Sequence, residues 1–345
     1  MTEETRQEKH VKAYEVREAI GLDGLVLNPD RPKPEPMHDQ VLIRVRAAAM
    51  NYRDQGVIKG AYGYTKFPVI PMCDAAGEVV ATGAGVTQFK VGDRVASNFF
   101  QTWTGGRIPA AASKNSLGGQ LDGVLAEHVA LSQDGVIRIP DHLSFEEAAT
   151  LPCAALTAWN ALIETGGLRA GETVAILGTG GVACFAVMFA RLHGARVLLT
   201  SSSDTKLERG KALGADVLIN YKSTPEWDKE VLKHTDGGVD HIIEVGGANT
   251  LEKSMNAART GGSIYIIGSL AGAGNINPRI INRKELHLHG VHVGSREMFA
   301  AMNRAISLAK LRPPIDRVFP FAEAKQAYAY QAGSGHFGKI VIRVD

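Results

Sequence analysis

The first third of the chain is written in short alternations. In VLIRVRA, residues 41–47, Val41, Ile43 and Val45 fall on one side and Leu42, Arg44 and Arg46 on the other. That is the period of a half-buried strand. GEVVATG and VGDRVA are short apolar pieces bounded by Gly and Asp, and LAEHVAL and GVIRIP follow in the same style. Frequent glycine punctuation between such pieces predicts a small β-rich or barrel-like domain. The texture changes at SFEEAATLPCAALTAWNALIE, where Ser144 and Glu147 form a capping-box pair and predict the start of a helix. From about residue 171 to about residue 290, apolar strands (TVAILG, RVLLT, VLIN, HIIEV, SIYIIG) alternate with helical segments. That alternation predicts a parallel sheet with crossover helices. A helix over about residues 296–310 and a strand, KIVIRV, close the chain. The expected plan is a β-rich domain, an inserted α/β domain and a C-terminal segment that returns to the first.

Composition narrows this picture. A length of 345 residues suits about two domains. Hydrophobic residues at 45% and charged residues at 21% argue against both disorder and a membrane-spanning protein. The longest apolar runs fall short of a bilayer span. The formal charge is +2, with Lys and Arg scattered, so neither nucleic acid nor an anionic membrane is an expected partner. Three cysteines (Cys73, Cys153, Cys184) are too few and too far apart for a disulfide framework. Together with a polar N-terminus lacking an apolar signal region, this predicts a cytoplasmic protein.

The strongest chemical motif is TVAILGTGGVACFAVMFARLHGARVLLT. A buried strand runs into Gly178, Thr179, Gly180, Gly181, Val182 and Ala183, an apolar helix follows, and a second strand begins after Gly194. This is G-x-G-x-x-G/A in the strand–turn–helix setting that a dinucleotide requires. Gly178 permits the tight turn, Gly180 the approach of a pyrophosphate, and the helix N-terminus offers N–H groups to the anion. An NAD site usually carries an acid at the end of the second strand. Here the strand ends in Thr200 and continues Ser201, Ser202, Ser203, Asp204, Thr205 and Lys206. Hydroxyls and a lysine suit a 2′-phosphate, so NADP(H) is the expected cofactor. Asp204 is the opposing signal, although it stands at an expected helix N-cap. A purely solvated Lys206 is the plain alternative.

With these pieces assembled, the chain resembles the medium-chain dehydrogenase/reductase superfamily, and within it the zinc-free quinone oxidoreductase-like branch. The likeness runs over nearly the whole length. It rests on AAAMNYRDQGVIKGAYG, FPVIPMCDAAGEVVATG, VGDRV, LPCAALTAWNAL, GTGGV, KLERGKALGADVLINY and HFGKIVI. It implies an α/β protein with a GroES-like β-rich catalytic domain (residues 1–154 and 294–345) and an inserted Rossmann domain (residues 155–293). It also implies an active site in the cleft between them, a small-molecule substrate, and a homodimer or homotetramer. Carried over by position, Asn51, Thr157, Gly178, Gly180, Gly181 and Val182 become expected cofactor contacts. Lys206 and Tyr221 are expected at the 2′-phosphate, beside Ser201 and Ser202. Gly268 and Ser269 are expected near the nicotinamide. Lys339 is expected to face the cofactor, unless it is a surface lysine on a terminal strand.

Zinc enzymes of the superfamily take Cys, His and Cys from three separated segments. The matching positions here hold Asn51, Cys73 (followed by Asp74) and Cys153. Asn is a poor zinc ligand, and zinc wants about four N or S donors with one position open for catalysis. No catalytic metal is therefore expected, although Cys73, Asp74 and Cys153 could form a degenerate site and the two thiols could pair. The cysteine-rich lobe of the zinc enzymes has no counterpart, since the 29 residues from Val95 to Gly123 read VASNFFQTWTGGRIPAAASKNSLGGQLDG without a cysteine.

Metal-free hydride transfer suits a quinone or an α,β-unsaturated carbonyl, where charge ends on an oxygen that N–H or O–H donors can meet. Tyr52, with Asn51, is the expected donor. Tyr62 and Tyr64 are expected to stack on a flat substrate, and Met298 and Phe299 to form an apolar wall. Two other functions compete: an alcohol dehydrogenase using the degenerate zinc site, and a dinucleotide-binding protein with little catalysis.

Overall fold

The computed structural model describes residues 9–63, 65–268 and 274–344, the side chain of Ser113 excepted. Contacts divide the chain into two compact units, one of Met1–Cys153 with Gly294–Asp345 and one of Ala154–Val293.

The first unit begins with an antiparallel pair, β1 (His10–Val16) and β2 (Leu25–Pro32). Next come β3 (Gln40–Ala49), β4 (Asp74–Thr82), β5 (Arg94–Ser97), β6 (His128–Ser132) and β7 (Val136–Arg138). In β3, Val41, Ile43 and Val45 are buried and Arg44 is exposed as the alternation predicts, but Leu42, expected on the other side, is buried as well. Its last turn, Ala47, Ala48 and Ala49, is buried throughout, because β4 and the C-terminal strand flank it there. Residues 98–123 form a lobe without cysteines. An aromatic group holds it instead: Phe99 lies 4.6 Å from Phe100, Phe100 lies 5.9 Å from Trp103, and the Arg53 guanidinium sits 4.8 Å above Phe99. Side-chain bonds add to this, with Gln101 donating to the carbonyls of Asn98 and Gly135.

Ser144 caps the helix Phe145–Ala149 in a reciprocal box with Glu147, a cap worth about 1 kcal/mol. The expected single helix does not continue unbroken. Wide π turns at Leu151–Ala155 and Asn160–Thr165 flank a short α segment, Leu156–Trp159. Such turns insert a residue into the ladder and re-aim side chains, commonly near functional sites.

In the second unit β8 (Thr173–Leu177), β9 (Arg196–Ser201), β10 (Val217–Asn220), β11 (Val239–Glu244), β12 (Ala258–Ile266) and β13 (His287–Gly290) form one parallel sheet. The order is β10-β9-β8-β11-β12-β13, so the direction of winding reverses between β8 and β11. Open sheets of this kind receive ligands at the carboxyl ends of the strands beside that reversal. Helices Gly181–Leu192, Asp204–Leu213 and Ala248–Ala257 supply the crossovers. One core cluster of this unit gathers Ala175, Leu198, Ile219, Trp227, Ile242 and Met255 between sheet and helices.

The chain then returns to the first unit. Helix Arg296–Ala309 leads to β14 (Ile315–Pro320) and, after helix Ala324–Ala332, to β15 (Lys339–Arg343). β15 pairs with β3, giving a sheet ordered β14-β15-β3-β4-β5-β7 with β6 also on β3. On helix Arg296–Ala309, Phe299, Met302 and Ile306 are buried on one face. Fully burying a side chain like Phe299 contributes about 2–3 kcal/mol.

Candidate functional site

Two places carry the chemistry, one in each unit. In the second unit, β8 ends in Gly178, whose φ of 82° is in the left-handed region that only glycine adopts freely. Its N–H bonds to the Thr200 carbonyl at 2.9 Å, which fixes the turn against β9. Gly180 opens helix Gly181–Leu192 with no side chain capping it, and a Cβ added there would meet open space. The first N–H groups of a 12-residue helix are therefore left for an external anion. Val182 lies in that first turn, and Cys184 packs in the same helix with its sulfur 3.5 Å from the Thr179 carbonyl. Thr157 is buried in the segment Leu156–Trp159, which packs on this helix through Trp159 and Phe189, 5.3 Å apart.

At the ends of β9 and β10 the expected phosphate group assembles in part. Asn220 pairs with Ser201 across the strands, and the Tyr221 N–H bonds to the Ser201 carbonyl at 3.0 Å. Ser203, not Asp204, is the helix cap: its hydroxyl accepts from the Lys206 N–H. The expected cap at Asp204 thus shifts by one residue, because Ser203 alone has the extended backbone that a cap needs. Asp204 is the first helical residue, and its carboxylate accepts from the Asn220 amide at 2.7 Å. Ser202 and Lys206 are half-buried and Tyr221 is exposed.

At the end of β11, Glu244 is fully buried and was not singled out by the sequence reading. Its Oε1 accepts from the N–H groups of Gly246 and Gly247 and from Thr250, and its Oε2 accepts from Ser254. An acid followed by two glycines and a threonine was the available signal. Gly268 lies against this turn, where a side chain would strike the Val245 carbonyl. Ser269 and Tyr64 lie outside the described residues.

In the first unit, Met72 takes a φ of 67° and presents Cys73 and Asp74 at the start of β4. Side chains at Gly118 or Gly123 would collide with the Met72 carbonyl, so two glycines admit this bend. Ser97 on β5 donates to the Cys73 carbonyl and accepts from the Ala75 N–H, pinning both sides of Asp74. The Cys73 thiol donates to Asp74 Oδ1 at 3.0 Å, and the Cys153 N–H donates to Asp74 Oδ2 at 3.2 Å. Burial first, then the neighbouring Cys153 and Asp74, push the Cys73 thiol well above its ordinary range. The two sulfurs and an Asp74 oxygen lie within 4.8 Å of one another.

Lys339 completes this group, and the alternative of a surface lysine is corrected. It is 3% exposed, and Nζ donates to Met50 O and Asn51 Oδ1, both at 2.6 Å, and lies 3.6 Å from Asp74 Oδ2. On β15 its side chain faces β3, which ends one residue before Met50. Asn51 Nδ2 in turn faces Cys73 Sγ at 3.5 Å. The amide orientation follows from its partners, since the ammonium can only donate.

Asn51 also starts helix Tyr52–Ile58, with its N–H bonded to Asp54 Oδ2 at 2.7 Å. Tyr52, in the first turn, is 64% exposed. The Tyr62 ring lies over Gly56, where a Cβ would meet it. Met298 sits in a first helical turn, bonded through its N–H to the Ser295 hydroxyl. The apolar wall expected of Phe299 is corrected to core packing, because the residue is wholly buried.

Comparison with known proteins matches this layout. The alcohol dehydrogenase GroES-like domain family matches residues 37–141, and the zinc-binding dehydrogenase family matches residues 181–307. A zinc-type alcohol dehydrogenase-like protein of Schizosaccharomyces pombe is 42% identical over 89% of this chain and 91% of its own length. The chain belongs to the medium-chain dehydrogenase/reductase superfamily. Rat quinone oxidoreductase is 32% identical to it over 97% of this chain and 98% of its own. A solved NAD-dependent alcohol dehydrogenase superposes with a TM-score of 0.88 at 32% identity, covering 97% of this chain and 100% of that one. The chain is thus an NAD(P)-dependent oxidoreductase of GroES-like and Rossmann domains, from a superfamily that acts on small molecules.

Proposed function

We propose that this dehydrogenase/reductase uses NADPH to reduce a quinone or an α,β-unsaturated carbonyl without a catalytic metal. One observation carries the reading: the side chains of Asn51, Cys73 and Asp74 are bonded to one another, with Lys339 on Asn51 and beside Asp74 and the Cys153 N–H also on Asp74, so these donors are not free. Zinc needs thiolates and an unencumbered donor set. Here one thiol is protonated on a carboxylate, one position is an amide, and an ammonium stands beside them. The donors do not fit the ion that the family description implies. Without such an ion nothing lowers an alcohol's pKa, whereas a conjugated carbonyl needs only donors for its developing oxyanion.

The glycine turn fits a dinucleotide, because Gly180 leaves bare backbone beside uncapped helical N–H groups. Bound NADPH supplies the hydride, which adds to a carbon conjugated to the carbonyl. Gly178, Gly180, Gly181 and Val182 hold the pyrophosphate; Ser201, Ser202, Lys206 and Tyr221 take the 2′-phosphate. No carboxylate ends β9, and Asp204 is engaged by Asn220, which supports the phosphate over a bare ribose. Tyr52 offers an exposed hydroxyl as hydrogen-bond donor. The family resemblance supports a homodimer or homotetramer. Among the described residues no helix is long and apolar enough to cross a membrane.

Turnover of a quinone and an enone panel, with and without a chelator, tests this. NADPH-dependent reduction that survives chelation is expected. Chelation-sensitive oxidation of simple alcohols would favour the second reading, a zinc alcohol dehydrogenase, for which the Cys73–Asp74–Cys153 group is the supporting observation.

A further inference from the structure

We infer that Lys339 is the residue that keeps soft divalent metal ions out of the Cys73–Asp74–Cys153 group, and that this group is a latent metal site. The inference rests on the metal-free reading above and names its cause. Four side chains are linked hand to hand. Lys339 Nζ donates to Asn51 Oδ1, Asn51 Nδ2 faces Cys73 Sγ, the Cys73 thiol donates to Asp74 Oδ1, and Asp74 Oδ2 lies 3.6 Å from Lys339 Nζ. That closes a ring, and the Cys153 N–H joins it at Asp74 Oδ2.

The ring explains why three donors within 4.8 Å are not a binding site as they stand. A metal bound to Asp74 at about 2.0–2.2 Å would place its charge beside a buried ammonium. Lys339 is 3% exposed and Asp74 is fully buried, so solvent does not screen the repulsion. The ammonium is also redundant with a cation: it already neutralises Asp74 and already holds the Asn51 carbonyl oxygen. Removing its charge leaves Asp74 unpaired and two thiols alongside it, the donor chemistry that selects zinc or cobalt. Lys339 is thus a positioning residue that does a resident ion's electrostatic work from β15.

Cobalt(II) titration of the full chain, reduced and under anaerobic conditions, tests this through thiolate-to-cobalt charge-transfer absorption and metal retained after desalting. Wild type and Lys339→Arg are expected to show no thiolate band. Lys339→Gln keeps a donor for Asn51 and removes the charge; it is expected to take up about one cobalt per chain, at least about ten-fold tighter than wild type, and to lose the band when combined with Cys73→Ser. Lys339→Met serves as a second neutral variant. The inference is overturned if wild type itself binds cobalt through thiolate, or if a folded neutral variant, checked by circular dichroism, binds no more than wild type. The second outcome, with wild-type turnover still resistant to chelation, removes this inference and leaves the metal-free reading standing. Wild-type turnover lost on chelation removes that reading itself.

Discussion

Asp54 lets the electrostatics of the first unit be measured. Its side chain is completely buried, Oδ2 accepts from the Asn51 N–H at 2.7 Å, and Oδ1 has no hydrogen-bond partner among the described residues. Burial, opposed by the charge of Arg53 and the Asn51 N–H and assisted by the negative charge of Asp74, pushes its carboxyl from 3.8 up to about 6. The folded state therefore holds the proton more tightly than the unfolded chain does. Below the unfolded value both states are protonated and the site costs nothing. As pH rises from about 4 to about 6 the unfolded chain ionises first, so stability falls; above that the penalty is constant. A shift of about two units corresponds to roughly 3 kcal/mol. Asp54→Asn keeps an oxygen for the Asn51 N–H and cannot ionise. Urea melts of both proteins at pH 4 and pH 8 give a double difference in which the amide's own packing cost cancels. Because the unfolded aspartate is partly ionised at pH 4, the variant should recover roughly 2–3 kcal/mol of the stability that wild type loses between the two. A double difference below about 0.5 kcal/mol would refute the claim that burial dominates at this carboxyl.

Lys206→Ala should lower the NADPH over NADH preference in kcat/KM by at least about ten-fold, the loss of one charge-assisted contact; an unchanged ratio removes the phosphate assignment. Gly180→Ala should leave the melting temperature unmoved, since its Cβ meets open space, while weakening dinucleotide binding by more than about ten-fold in calorimetry. Gly178→Ala should instead destabilise by about 1–2 kcal/mol through its positive φ, and equal effects of the two changes would contradict the cradle as described. Tyr52→Phe should cut kcat by about ten-fold or more with cofactor affinity intact, and unaltered turnover excludes that hydroxyl.

Legibility followed distance along the chain. The parallel sheet of the second unit was readable because each strand announces itself locally, as in TVAILG and HIIEV, and the glycine turn sits between two of them. β13, reading HLHG, carries no apolar alternation and gains its place only from pairing with β12. β1, with its mixed burial, and β2, mostly exposed or half-buried, are held by each other and give weak periodicity. The single residue that separates Ser203 from Asp204 was beyond composition, because both are good caps and only the backbone angle decides. The ring around Asp74 was the least readable feature. Asn51, Cys73 and Cys153 could be placed by resemblance, but Lys339 stands 288 positions from Asn51, and nothing local in HFGKIVI marks a lysine that turns inward.

That separation has a temporal meaning. β15 is the strand that seats the ammonium, and it is made after every other element described above. At about 5–20 residues per second a growing chain carries Asn51 for roughly 15–60 s before Lys339 exists. Throughout that interval Asp74 has no counter-ion to close around, so β3 and β4 cannot seal their shared end. The inserted unit, whose strands are contiguous, can complete its sheet first. The opening third of the protein is therefore synthesised early and finished late, with its polar centre wet until the C-terminal strand docks.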